Sequence, residues 1–265
     1  MKIALPASLL LAAAASSAAA ADTPWNAPFT IQVGGFRADA STTVRLDSTT
    51  RNAGTQVSFE GDLGMTRTKT LPDVEFLWRI NDRHAIEASW VSLDRTGTRP
   101  ISGEIHWGDV VFPVNAQIDS KFDSEVIRAT YRYSFYNDKH GNEASILLGV
   151  HYTTVDTSLS NPAGTISQSA SVNAPLPTIG LRGSASFLDT MRVTGYFQAL
   201  KVKIGDYDGD LVNGAVGLEW AFLPQAYAGV GYNYYKYRVD SEKERSRGRF
   251  EYRFDGPTLY AAWTF

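Results

Sequence analysis

The sequence of 265 residues contains no cysteine. This absence excludes a lipoprotein anchor, a scaffold held by disulfides and every metal site with thiolate ligands. After residue 21 the chain also lacks any window of 18 apolar residues, and no block of five or more like charges occurs. A helical membrane span in the body of the chain and a charged disordered tail are therefore both excluded.

The first 21 residues differ in composition from all that follow. They contain one charge, Lys2, an apolar stretch around residues 9–11 and a run of small residues that fits a signal-peptidase site. We predict a signal peptide over residues 1–21, cleaved after Ala20 or Ala21, with an uncleaved anchor as the alternative. Loss of Lys2 from 25 bases leaves 24 bases against 28 acids. The resulting net charge of about -4 argues against nucleic acid as a partner.

The remainder of the chain, residues 22–265, is dominated by alternation of apolar and polar residues with a period of two, which is typical of β-strands. Ile127 and Phe135, for example, share one face of a strand whose other face carries Arg128 and Arg132. Short connections with turn residues alternate with longer polar connections. The pattern predicts one domain of about ten antiparallel strands in up-and-down order, with cores near 28–40, 70–80, 84–94, 124–136, 143–155, 177–187, 191–203, 212–222, 226–239 and 250–265.

Alternation alone is compatible with a soluble lipocalin-like barrel and with a membrane barrel. Runs of ten or more residues have the length that a tilted strand needs to cross a bilayer. Aromatic residues concentrate near the short-turn ends of the strands, where an interfacial girdle lies. Inverting the strand with Arg128 and Arg132 costs up to about 8 kcal/mol, at roughly 2 to 4 kcal/mol for each arginine in mid-bilayer. We therefore predict a closed transmembrane β-barrel with its apolar faces toward lipid.

The last nine residues, PTLYAAWTF, alternate in the same way and end on an aromatic side chain. In this strand, in the signal peptide and in the alternation of short turns with long loops, the sequence resembles the outer-membrane β-barrel proteins of Gram-negative bacteria. The resemblance implies location in the outer membrane and contact with its lipid and lipopolysaccharide. It also implies that Trp263 and Phe265 form a signal that the barrel-assembly machinery reads.

This resemblance identifies an architecture and no activity. The stretches 59–65, 107–116 and 207–210 look like those of uncharacterised proteobacterial small barrels, and no pattern of omptin proteases, outer-membrane phospholipases or lipid A palmitoyltransferases occurs. We predict neither an enzyme nor a bound cofactor. A hydrolase at the rim is the least favoured alternative, and its candidate residues are His106, Asp94, Asp206, Asp208 and Asp240.

The inward face of the predicted barrel collects most of the charged residues of the strand cores. We predict a lumen network composed of Asp73, Glu75, Arg79, Glu87, Arg128, Arg132, His151, Arg182 and Glu219. A barrel of about ten strands is only somewhat wider than one that side chains fill, and buried charges require partners. The favoured function is a mainly structural barrel, followed by a narrow gated pore. A surface binding module that uses the long loops is the alternative from another class.

Three of the connections have unusual composition. Residues 107–116 are apolar, and we predict that they fold into the mouth of the barrel, with an adhesive rim patch as the alternative. The Asp-Gly pair in residues 205–210 favours a tight hairpin over a calcium loop. The charged residues 242–249 are predicted to form a solvated loop, and contact with lipopolysaccharide phosphates is the alternative.

Overall fold

The computed structural model describes residues 23–50, 53–242 and 247–265, so the predicted signal peptide lies outside the described residues. The described chain contains one turn of 3-10 helix, Pro24–Asn26, and no helix in these ranges is long and apolar enough to cross a membrane. The strands are β1 (Phe29–Leu46), β2 (Gln56–Ser58), β3 (Thr68–Arg79), β4 (His84–Pro100), β5 (Ile105–Trp107), β6 (Val110–Phe112), β7 (Gln117–Asn137), β8 (Glu143–Ser160), β9 (Ser167–Leu188), β10 (Met191–Ile204), β11 (Tyr207–Leu223), β12 (Ala226–Ser241) and β13 (Gly248–Thr264).

Ten of these strands form a closed antiparallel ring. β1, β3, β4 and β7 to β13 pair with their neighbours in chain order, and β13 pairs with β1. Closure supplies partners for backbone groups that lipid cannot satisfy. The short strand β2 lies against β1, while β5 and β6 form a separate hairpin. The predicted up-and-down barrel of ten strands is confirmed.

The short turns are fixed by side chains that cap the backbone. The Asn81 side-chain oxygen accepts hydrogen bonds from the backbone N–H groups of Arg83 (2.9 Å) and His84 (3.0 Å). Such local bonds favour a turn over continued pairing. Both described chain ends lie at this end of the barrel, since Phe29 and Phe265 exchange backbone hydrogen bonds. We call it the short-turn end and the opposite end the long-loop end.

Several strands extend further toward the long-loop end than the sequence predicts. The predicted connection over 156–174 is a loop of six residues, 161–166, between β8 and β9. The outward positions of these strand extensions are polar, so they lack the apolar outer face that identifies the strand cores. The predicted hairpin at 205–210 is confirmed, but its turn lies at Gly205 and Asp206, with Gly205 at a φ of 57°. The Asp208-Gly209 pair, from which the turn was predicted, lies in β11 and pairs with β10.

The outer wall carries a continuous belt of exposed apolar side chains. Leaving such a belt in water would forfeit roughly 1.5 to 3 kcal/mol for each large side chain, so the belt marks the lipid-facing surface. Its members include Ile31, Val33, Val74, Phe76, Trp78, Ile86, Trp90, Ile127, Tyr131, Phe135, Ile146, Leu148, Val150, Tyr152, Ile179, Leu181, Phe187, Val193, Phe197, Val216, Leu218, Trp220, Phe222, Val230, Tyr232, Leu259, Trp263 and Phe265.

Candidate functional site

The lumen near the short-turn end is filled by ion pairs centred on Arg132. This side chain is 1% exposed, and its guanidinium lies 2.9 Å from Glu87 and 3.2 Å from Glu143. Arg79 approaches Glu143 from another strand at 3.7 Å, and Arg182 lies 4.0 Å from Glu87. The shared carboxylates join five strands around the lumen, β3, β4, β7, β8 and β9, into one network, because each acid contacts two arginines.

Two further pairs lie beside this centre. Arg128 binds Glu75 at 2.5 Å and donates a hydrogen bond to the Tyr196 hydroxyl at 2.8 Å. Arg192 binds Glu219 at 2.5 Å. The Tyr260 hydroxyl donates a 2.9 Å hydrogen bond to Glu219. Charge-assisted bonds of this kind offset the high cost of removing the charges from water.

Two members of the network are absent from the sequence prediction, namely Glu143 and Arg192. Both lie inside the predicted strand cores 143–155 and 191–203, at the first or second residue, where the sequence analysis does not use the alternation to identify the inward face. Their parity along the chain is nevertheless inward, since Glu143 alternates with Ser145 and Arg192 with Thr194, all of which are buried. With them, the network in the short-turn half of the lumen contains five acids and five arginines: Asp73, Glu75, Glu87, Glu143, Glu219, Arg79, Arg128, Arg132, Arg182 and Arg192.

Asp73 and His151 occupy the middle of the lumen, beside the ion pairs. Asp73 is 8% exposed and lines the same small cavities as Glu75 and Tyr196. His151 is fully buried and stacks on Tyr235, with ring centroids 5.9 Å apart. The two cavities have room for about 50 Å³ each, enough for a few water molecules. These two cavities between the charged groups therefore suit bound water.

The short-turn end is closed by Trp25, which the sequence analysis does not identify. The indole is 3% exposed, the Arg192 guanidinium lies 4.1 Å from its ring centroid, and the Tyr227 ring lies 5.3 Å away. Cation–π and aromatic contacts of this kind stabilise a partly desolvated arginine. The neighbouring Asn26 side chain donates a 2.7 Å hydrogen bond to the Asp138 backbone carbonyl. The N-terminal turn is thus fixed across the opening.

The turn at residues 138–142 packs against the Trp25 side chain. Hydrogen bonds from the Asn142 side chain (2.8 Å) and from the backbone of Asn142 and His140 lower the pKa of the Asp138 carboxyl below its usual value. Gly141 adopts a φ of 85°, and a Cβ at this position would lie 2.7 Å from the Trp25 side chain. Glycine is therefore required here both for the turn and for the close approach of the indole.

The long-loop end is closed by two loops that fold into the barrel mouth, which we call the cork. The first loop comprises the described residues 47–50 and 53–67, and the second comprises 101–116. Phe59, Trp107 and Phe112 are fully buried in one apolar cluster that also includes residues of the wall. Phe59 packs on Trp107 at a centroid distance of 6.1 Å. The predicted folding of 107–116 into the mouth is confirmed.

Polar contacts fix the cork to the wall and the two loops to each other. Glu60 of the first loop is 2.5 Å from Arg95 of β4, and both side chains are 2% exposed. Arg95 also donates to the Thr42 hydroxyl and lies over the Phe122 ring. Asp109 of the second loop accepts hydrogen bonds from Ser48 and Thr49 of the first at 2.8 to 2.9 Å. The cork is therefore one packed unit.

The apolar cluster corrects the expectation that the whole lumen is polar. Along β7 the apolar residues change from one face of the strand to the other. Ile118 and Phe122 are buried inside the barrel, whereas Ile127 and Phe135 are exposed on its outside. Beyond the belt the outer surface meets water, so the inner surface becomes the apolar one. This reversal is visible in the sequence, where charged Lys121 lies beside Phe122.

The residues considered for a hydrolase at the rim do not form one cluster, because most of them contact different partners. His106 lies 2.8 Å from Glu104, and Asp94 lies 2.8 Å from Lys69. Asp240 binds Arg249 at 2.6 Å and is the strand partner of Asp208. In the ranges that the structure describes, no group of three or more His, Asp or Glu residues is arranged to hold a metal ion.

Neither a sequence-family profile nor a curated protein matches the chain. Solved structures do: the outer membrane protease OmpT from Escherichia coli has a TM-score of 0.58 and 11% identity, covering 89% of this chain and 96% of OmpT. The transport unit of the Escherichia coli autotransporter AIDA-I has a TM-score of 0.44 and 7% identity, covering 90% of each chain. The attachment invasion locus protein Ail of Yersinia pestis, in complex with sucrose octasulfate, has a TM-score of 0.37 and 11% identity, covering 88% and 97%.

The likeness to OmpT, together with the closed antiparallel ring, shows the fold of a bacterial outer-membrane β-barrel. The resemblance stated from the sequence is confirmed, and the predicted outer-membrane location is consistent with the printed description of OmpT as an outer membrane protein. The fold of the protease OmpT assigns no reaction to this chain, because one architecture carries many activities.

Proposed function

We propose that this protein is a structural outer-membrane barrel whose lumen is closed to solutes. The observation that carries the proposal is that three successive layers fill the lumen: Trp25 at the short-turn end, the ion pairs around Arg132 and the apolar cork around Trp107. Ions need a continuous polar path that binds them weakly, and an apolar layer raises the barrier to their entry.

The composition of each layer supports permanent closure over gating. The Glu60 to Arg95 pair is almost completely removed from water, and breaking such a pair costs about 3 to 5 kcal/mol. An adhesive rim patch is disfavoured, because Trp107 and Phe112 point into the mouth and are buried. Among the large apolar side chains of this loop, Val114 is the one that is exposed. The cork therefore closes the long-loop end and leaves little apolar surface exposed for adhesion.

Conductance in planar lipid bilayers tests the proposal. The full mature chain, with insertion verified by flotation of proteoliposomes, is expected to produce no conductance steps at either polarity. Replacing Arg128 by glutamine leaves the Trp25 and cork layers in place, so this variant is expected to be silent as well. Step conductance in the unmodified protein that changes with Arg128→Gln would establish the narrow pore and overturn the structural proposal.

A further inference from the structure

The ring of backbone pairing is incomplete between β9 and β10. β9 pairs with β8 as far as Ser167, and β10 pairs with β11 along its whole length. The pairing of β9 with β10, in contrast, ends at Ile179 and Ala199. Residues 167–178 and 200–204 therefore lie on either side of a gap without a ladder, which we call the seam.

Two prolines of β9 account for the end of the ladder. Pro175 and Pro177 are the strand partners of Tyr152 and Val150 on β8. Successive residues of an antiparallel strand direct their N–H groups alternately to the two neighbours, and the β8 ladder is continuous here although proline has no N–H. The donors missing at Pro175 and Pro177 are therefore those that would face β10. Proline at such positions prevents pairing on that edge.

A similar gap between β3 and β4 is filled, which makes the seam distinctive. That ladder ends at Asp73 and Val91, next to Pro72. There the Lys69 ammonium bridges to the Asp94 carboxylate at 2.8 Å, and the cork lies against β4. At the edge of the seam the Gln198 side chain donates a long hydrogen bond of 3.4 Å to the Thr178 hydroxyl. Between 167–177 and 200–204, the side chains that the structure describes make no hydrogen bond or ion pair.

The inner side of the seam is apolar. Leu176 is 4% exposed, and Val172 and Val202 pack against the apolar cluster of the cork. A cavity of about 30 Å³ lined by Val172 and Phe250 lies within this part of the lumen. A chain of methylene groups that passed the seam would therefore meet apolar surface.

The outer side of the seam meets the margin of the lipid-facing belt. Val150 and Tyr152, the strand partners of the two prolines, are 42% and 44% exposed on the outer wall. Ile179, at the last paired position, is 52% exposed. The belt and the apolar cluster thus approach each other where the wall lacks hydrogen bonds.

We propose that the seam is a lateral port through which an alkyl chain from the surrounding lipid layer reaches the apolar cluster. This binding site is additional to the structural function, and it opens toward lipid without creating a path along the barrel axis. The protein is thereby assigned a ligand class, a single apolar chain, because Leu176, Val172 and Val202 line the inner side of the port, whereas the charged residues of the seam, Lys201 and Lys203, are exposed on its outer side. Conductance and port opening are independent, so either proposal can fail alone.

Hydrogen exchange of the detergent-solubilised mature protein tests whether the seam is open. The amides of Lys201 and Lys203, whose N–H groups face β9, are expected to exchange at least about tenfold faster than those at 192–198, since they have no partners on β9. The double variant Pro175→Thr/Pro177→Thr restores two donors opposite these residues and is expected to slow both amides by about tenfold. Pro257→Thr, an exposed proline of β13 away from the seam, is the matched control and should change nothing there. Equal exchange of both segments in the unmodified protein would overturn the port.

Fluorescence quenching by 1-bromododecane tests ligand entry. Trp107 is a suitable reporter because it is buried in the cork and the adjacent Gly108 lies against Gln168 of β9. With the other five tryptophans replaced by phenylalanine, Trp107 in lipid nanodiscs is expected to be quenched. The Pro175→Thr/Pro177→Thr background should lose most of the quenching, and Pro257→Thr should retain it. Absent quenching, or quenching that is equal in all backgrounds, would contradict entry through the seam.

Discussion

Replacing Arg95 by methionine is expected to lower the free energy of unfolding by about 3 to 5 kcal/mol, because Glu60 would remain buried without a partner charge. The same change should detach the first loop of the cork, since Arg95 also binds Thr42 and packs on Phe122. Urea unfolding in detergent micelles measures the stability, and limited trypsin cleavage at Arg67 reports the release of the loop.

The matched control for this variant is Arg99→Met. Arg99 also contacts the first loop, through a 2.9 Å hydrogen bond to the Gly61 carbonyl, but its side chain is exposed. Exposed contacts of this kind contribute about 0 to 1 kcal/mol. If Arg95→Met were no more destabilising than Arg99→Met, the cork would not depend on the buried pair.

Replacing Arg132 by methionine is expected to cost a similar amount, about 3 to 5 kcal/mol, by leaving Glu87 and Glu143 without their shared cation. Adding Glu143→Gln to this variant should recover part of the loss, because one uncompensated charge is removed. The measurement is urea unfolding followed by the shift in gel migration between folded and heated protein. Arg83→Met, at an exposed short turn, is the control. A cost below about 1 kcal/mol would show that the network does not stabilise the lumen.

The strand pattern of this barrel is largely readable from the sequence. Alternation places Val74, Phe76 and Trp78 outside and Arg128 and Arg132 inside, because one face of each strand meets lipid and the other meets a crowded polar interior. Turn residues such as Asn81 also locate the short connections. These are local signals, so a single sequence is sufficient to identify them.

The closing layers depend on contacts that no local pattern encodes. Trp25 precedes the first strand, and only the folded ring brings it to Arg192 and Tyr227. Glu60 and Arg95 are 35 residues apart, and their pairing depends on the path of the first loop. The seam can be predicted only in part from the sequence. Pro175 and Pro177 are evident there, but only the strand register shows that β10 is the neighbour left without hydrogen bonds from these positions.

Thiol accessibility tests most directly whether lipid surrounds the barrel while its interior is sealed. The chain has no cysteine, so single cysteines can be placed at Thr130 (inside, 2% exposed), Ile127 (outside in the belt) and Lys121 (outside, beyond the belt). In proteoliposomes, a charged thiol reagent should label Lys121→Cys alone, an apolar maleimide should also label Ile127→Cys, and Thr130→Cys should react only after unfolding. Rapid labelling of Thr130→Cys by the charged reagent in the folded protein would contradict a closed lumen.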